Sequence, residues 1–334
     1  MKKTNLSSKT ILASGILLLA LLGACKKDGL ESKELLVYAK GEYGSTNNSV
    51  VAALTQTPVA VWGNMSFDIP VYATREVAAD VDVYMEPNSS LVAQFNRDNG
   101  KKALLLPTLA YQINSNRHKI PAGSTVSDPM TVQIINAASL TDTNGYVLPL
   151  TITKVEGQDK GVRVSTTRAT TYLYVPYNYT NVDTTQVPLA GATMSRTGWA
   201  VMVSNTTSGA LGPAMLDGSN TTAWRSSNST TAAKWVVLNM GSQQTIKGFK
   251  LVPNYVATAE NPTQMTVSTS NDNINWMVQG IWKGTGPASS SSATSPDFKG
   301  VNFLVPVKAQ YFRFDITALV SGGRVGIGEL YAIQ

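Results

Sequence analysis

Between about Leu35 and Val175 the chain alternates apolar and polar residues in short runs. That is the period-two pattern of half-buried strands, not the 3.6-residue period of helices. Ala79–Met85 reads Ala-Asp-Val-Asp-Val-Tyr-Met, one side chain in and the next out. Leu104–Leu106, Val132–Ile135 and Tyr146–Ile152 predict further strands. Turn residues separate them at Glu86-Pro87-Asn88, Asp98-Asn99-Gly100, Pro121-Ala122-Gly123 and Asn144-Gly145. Short strands at this spacing predict a β-sandwich, and no capped helical stretch is expected within it. The aromatic run from Tyr172 to Tyr179 reads as a closing strand with one face in the core.

From about Ala190 the chain changes character. Trp235–Gly241, Ile246–Phe249, Val267–Trp276, Ala309–Phe314 and Gly328–Tyr331 predict strands between Gly, Asn and Asp turns. Ser270-Asn271-Asp272-Asn273 is a strong hairpin signal. Trp224 and Trp235 lie inside apolar strand patterns and are predicted to be core. Ser289–Ser292 is a low-complexity patch in a loop running from Gly284 to Gly300. The pattern therefore predicts an all-β chain of two tandem sandwiches, at 34–178 and 190–334, joined by a linker over 179–189.

The first residues have a different logic. Lys2, Lys3 and Lys9 precede an apolar stretch from Ile11 to Ala24, fourteen residues long. A bilayer-spanning helix needs roughly 20 apolar residues, so this stretch has the shape of a secretory signal instead. It ends in Leu22-Gly23-Ala24-Cys25, which resembles the bacterial lipobox. The resemblance implies a signal peptide over 1–24, lipidation of Cys25 and a polar spacer over 25–33. Two or more acyl chains then hold the protein on a membrane where one does not.

Composition sharpens this picture. The chain has 334 residues, 43% hydrophobic but only 14% charged, with one His and one Cys. Ser, Thr and Asn supply the surface polarity, and the apolar share is large enough for real cores. A single histidine excludes His-rich zinc sites and leaves His118 as the sole candidate base for a triad. Half of the formal net charge of +6 comes from the three signal lysines. Residues 187–334 carry ten Lys and Arg against six acids, too mild a balance for a nucleic-acid partner. Those six acids, Asp217, Glu260, Asp272, Asp297, Asp315 and Glu329, are scattered. No pair suited to glycoside hydrolysis stands out, so the protein is not expected to be an enzyme.

Two family resemblances then enter. Leu91-Val92 with Phe95-Asn96, Leu106-Pro107 before Tyr111, Ile120–Gly123 and Tyr146–Leu150 resemble an N-terminal domain of unknown function in Bacteroidetes outer-membrane lipoproteins. That resemblance implies an immunoglobulin-like sandwich ahead of a carbohydrate-directed module. The second set is Trp199, Pro213–Trp224, Trp235–Gly241, Ile246–Phe249, Val267–Trp276, Ala309–Phe314 and Gly328–Tyr331. In that order they resemble the discoidin family, also called coagulation factor 5/8 type C, with its jelly-roll (galactose-binding-like) fold. Its bacterial carbohydrate-binding members are the family 32 modules. Asn239-Met240-Gly241 stands where the family usually has Asp-Leu-Gly.

The discoidin resemblance implies a structural calcium held by Asp217, Ser219, Thr222 and Glu329. Calcium takes six to eight oxygen ligands, and the Leu216-Asp217-Gly218 turn offers a carboxylate, a hydroxyl and loop carbonyls. The resemblance also implies a sugar site on loops at one end of the sandwich. Arg225 stands where the family often has His, and Asn254 where it often has Arg. The expected ligand-binding set is Arg225, Asn254, Tyr255, Asn261, Trp199 and Trp282, with an aromatic face for the sugar ring and planar donors for its hydroxyls. The implied protein is an outer-membrane, lipid-anchored, non-catalytic glycan binder facing the periplasm or the cell exterior. It would work beside components of a polysaccharide-utilisation importer. The alternative is an adhesive or structural lipoprotein whose discoidin domain binds a protein partner.

Overall fold

A computed structural model describes residues 34–41, 48–159 and 161–334. Cys25 and the lipobox lie outside the described residues. The described residues are 46% strand and 8% helix, which makes the fold all-β.

In the N-terminal domain one sheet orders Arg117–Ile120, Val81–Pro87, Tyr146–Gly157, Thr170–Val175 and Ser49–Val51, with Leu104–Leu105 beside Tyr146–Gly157. Beside it lie two three-stranded sheets, Ser66–Ile69, Met130–Ile134 and Tyr111–Ile113, and then Arg163–Val164, Leu36–Ala39 and Val71–Ala73, and a two-stranded one, Thr55–Gln56 with Val61–Trp62. Alternation explains how these share one core. Val81, Val83 and Met85 are buried while Asp82 and Tyr84 are half-exposed between them. Val37, Phe67, Val132, Leu148 and Leu150 close on the same cluster. Each such side chain contributes about 1.5–3 kcal/mol by leaving water.

One element departs from expectation. Val92–Asn99 is an α-helix, so Asp98-Asn99-Gly100 is a helix end and not a hairpin turn. Gly100 sits at φ 59 and its N–H donates to the Asn96 carbonyl, as a glycine does where a helix closes in the left-handed region. Only Phe95 of the helix is buried, 5.2 Å from the Tyr172 ring centroid and 5.4 Å from that of Tyr174.

The C-terminal domain orders Trp224–Arg225, Gly326–Ile333, Lys234–Pro253, Lys299–Leu319, Pro262–Ser270 and Met277–Lys283, with Ala200–Val203 beside Lys234–Pro253. Lys234–Pro253 turns at Gly241, φ 78, where its register against Lys299–Leu319 breaks between Asn239 and Gln244. That break lets one long ribbon serve two layers around a single core. Phe249 stands at its centre, edge-on to Phe312 at 5.1 Å and Phe314 at 5.2 Å. Trp224 is core as expected, but Trp235 is half-buried on the outer face, 5.2 Å from the Arg313 guanidinium.

The segment expected to be a linker is a strap bonded to both domains. Thr180 N–H donates to Gln56 O at 2.9 Å on the N-terminal side. Asn181 N–H donates to Gln279 O at 2.5 Å, and Leu304 N–H donates to Asn181 O at 2.8 Å. Asp183 N–H reaches Asn302 O at 2.9 Å, and Gly300 N–H reaches Gln186 O at 2.5 Å. Two glycines make room for it. A Cβ on Gly280 would lie 2.2 Å from Thr180 Oγ1, and one on Gly300 would lie 2.7 Å from Val187 O.

Candidate functional site

Four loops meet where Gly326–Ile333 begins, and they bring a polar cluster together. Trp224 is buried and donates its Nε1–H to Asn205 O at 3.0 Å, which fixes the neighbouring Arg225 at the domain's end. Arg225 donates from Nε to Glu260 Oε2 at 2.7 Å and from Nη2 to Oε1 at 2.6 Å. The Glu260 bond raises the guanidinium's already high pKa. Asn254 Nδ2 adds a bond to Glu260 Oε2 at 3.2 Å. Arg324 Nη1 lies 3.7 Å from Oε1, and its buried Nε has no partner. Two guanidiniums thus face one carboxylate, and the cluster keeps one positive charge. Side-chain exposures of 23% for Arg225, 30% for Arg324 and 12% for Glu260 leave the arginines reachable from solvent.

Glu260 and Arg324 were missed by sequence reasoning; Glu260 lies 35 residues from its partner Arg225, and no local spacing announces the pair. The expected ligand residues divide. Asn254 and Asn261 are buried and spend their amides on the loop itself. Asn261 Oδ1 accepts from Asn254 N–H at 2.7 Å, and its Nδ2 donates to Asn254 O and Thr258 O, both at 3.0 Å. These two residues shape the loop and offer no free donor. Tyr255 is half-buried beside them, with Asp297 N–H donating to its hydroxyl at 2.7 Å. Trp282 is core, bonded through Nε1–H to Gly300 O at 2.7 Å, and cannot serve as a sugar platform. Trp199 lies at the opposite end of its strand, because Ala200 pairs with Asn239 while Thr207 reaches back to Arg225. Of the set, Arg225 and Tyr255 are the two that both reach this end and retain exposure.

The residues expected to hold calcium do come together, but with the wrong donors. Glu329 is fully buried; its Oε1 accepts from the N–H groups of Gly218 at 2.7 Å and Ser219 at 3.1 Å. Its Oε2 accepts from Arg196 Nη1. Asp217 Oδ1 accepts from Ser219 N–H at 2.7 Å, and Thr222 Oγ1 donates to Asp217 Oδ2 at 2.8 Å. The turn therefore aims two N–H groups at the buried carboxylate, the Asp217 carboxyl also approaches it, and a guanidinium fills the remaining side. This arrangement does not fit calcium.

Other chemistry is also accounted for. His118 is buried, its Nε2 2.9 Å from Ser115 O and its Nδ1 3.6 Å from Asp128. Between the domains lies a cleft of about 1080 Å³ lined by Tyr177, Tyr179, Trp276, Met277, Val278 and Ile281. The two tyrosine rings are parallel within 5°, their centroids 6.3 Å apart.

Residues 200–330 match the F5/8 type C domain family, and residues 32–159 match a family described as an N-terminal domain. No curated protein matches the chain. A two-domain protein of unknown function from Bacteroides fragilis NCTC 9343 aligns over 99% of this chain and 100% of its own, at 18% identity and a TM-score of 0.58. The family 32 carbohydrate-binding module of C. perfringens NanJ, solved with galactose, covers 43% of this chain and 100% of its own, at 14% identity and a TM-score of 0.37. Another family 32 module from Clostridium perfringens, solved with GalNAc-β-1,3-galactose, covers 43% of this chain and 100% of its own, at 18% identity and a TM-score of 0.36.

Proposed function

The chain joins an N-terminal β-domain to an F5/8 type C domain, and from that premise we propose that it captures glycans without cleaving them. The observation that carries this reading is the Arg225–Glu260–Arg324 cluster on the loops at one end of the second domain. Guanidinium groups offer planar donors to sugar hydroxyls, and the half-buried Tyr255, next in the chain to Asn254, offers an apolar ring face. The unbalanced positive charge favours a glycan that carries carboxylate or sulfate groups. The family 32 resemblance supports a sugar as the ligand class.

Lipidation at Cys25 would hold the mature chain on the outer membrane, with the first domain as a spacer or a dock for an importer. A glycan array probed with the mature chain tests the reading. Binding that weakens in Arg225→Ala and Arg324→Met supports it, and an array without hits removes it.

One observation favours a second reading, an adhesive protein with a protein partner. Met277 is 59% exposed and Ile281 52%, both on the interdomain cleft, and an apolar sheet edge of this kind suits a protein surface. Retained protein partners together with an empty glycan array would select this alternative.

A further inference from the structure

Arg196 lies 133 residues from Glu329 in sequence, yet the two meet in the interior. The arginine side chain is only 16% exposed. Its guanidinium carbon lies 4.3 Å from the centroid of the Tyr331 ring, and Nη1 also donates to Met215 O at 3.4 Å. Stacking on an aromatic face and a charge-assisted bond at the edge suit a planar guanidinium better than a spherical ion. Gly218 holds φ +86, which side chains rarely adopt, and a Cβ there would meet Arg196 Nη2 at 3.6 Å, an ordinary contact.

The turn agrees. Thr222 Oγ1 donates to Ser219 O at 3.0 Å as well as to Asp217, so the carbonyl and the hydroxyl expected to face a metal face each other. A divalent ion would have to strip both Gly218 and Ser219 N–H bonds from Glu329. It would also sit beside a fixed positive charge. We propose that Arg196 is the resident cation of this domain: its guanidinium takes the place that the family resemblance gives to calcium, and the domain folds without a metal.

The test is thermal melting of the mature chain, with calcium or with a chelator, for the native sequence, Arg196→Ala and Arg196→Lys. The native Tm is expected to be the same in calcium and in chelator. Arg196→Ala is expected to lower Tm by about 5–10 °C in calcium and in chelator alike, because it leaves a buried carboxylate without its cationic partner. Arg196→Lys is expected to fall between. A native Tm that drops in chelator overturns the proposal, as does an Arg196→Ala protein that melts like the native one. If Arg196→Ala does not fold, the native protein still decides: heat released on calcium titration overturns the proposal, and its absence with an unchanged Tm supports it.

Discussion

Arg225 grips Glu260 through two hydrogen bonds, Nε to Oε2 at 2.7 Å and Nη2 to Oε1 at 2.6 Å. Arg225→Ala leaves a mostly buried carboxylate with only the Asn254 bond and a more distant Arg324. An unsatisfied buried acceptor costs about 1–3 kcal/mol, so chemical denaturation should show a loss of that size. The double variant Arg225→Ala/Glu260→Gln should recover part of it. Equal losses in the single and double variants would show that the pair is not coupled.

Trp282 belongs to the core although it was expected at the ligand surface. Trp282→Ala should cost about 3–5 kcal/mol in stability. Ligand affinity per folded molecule should not change. A selective loss of affinity with unchanged melting would return Trp282 to the ligand surface.

Gly280 lies directly under Thr180, with no room for a Cβ between them. Thr180 cannot easily swing away, because its Oγ1 donates to Val182 O at 3.1 Å and accepts from Val182 N–H at 3.0 Å. Gly280 also holds φ +145, which side chains rarely adopt. Gly280→Ala should therefore destabilise by about 1–3 kcal/mol and expose residues 179–189 to proteolysis. Native-like protease resistance in this variant would mean that the strap is not held as described.

Asp272 organises the hairpin after Pro262–Ser270. Its Oδ1 accepts from the N–H groups of Asn275 at 2.8 Å and Ile274 at 2.9 Å, and Asn275 Nδ2 donates to its Oδ2 at 2.7 Å. The backbone N–H groups, Asn275 first, hold its carboxyl far below the ordinary range. A carboxyl depressed in the folded state stabilises above its unfolded pKa, near 4, and that contribution fades as pH falls further. Asp272→Asn should lower Tm at neutral pH, and the gap from the native protein should narrow in acid. A gap that stays constant with pH would refute the assignment.

The strand faces were legible because one-in, one-out alternation maps directly onto the sheet, as Val81, Val83 and Met85 show. The discoidin turns, Asp217-Gly218 and Ser270–Asn273 among them, were legible for the same local reason. The Val92–Asn99 helix was not, because it buries only Phe95 and leaves no 3.6-residue stripe to read. Trp282 was misplaced because its strand carries apolar residues both in and out of the core: Met277, Val278 and Ile281 are exposed while Trp282 is buried. Alternation alone does not say which face is the core. The pairs Arg225–Glu260 and Arg196–Glu329 span 35 and 133 residues, and their geometry exists only once the loops are in place.

The strap over residues 180–187 has a mechanical consequence. On the proposed function, a chain tethered at one end and gripping a polymer at the other is pulled along its length. Asn181, Asp183 and Gln186 are fastened to Gln279, Leu304, Asn302 and Gly300, so tension arriving from the first domain meets several bonds together. Loaded in parallel, they resist as a group instead of peeling one after another. The second domain would therefore keep its aim under flow, where a slack connection would let it trail.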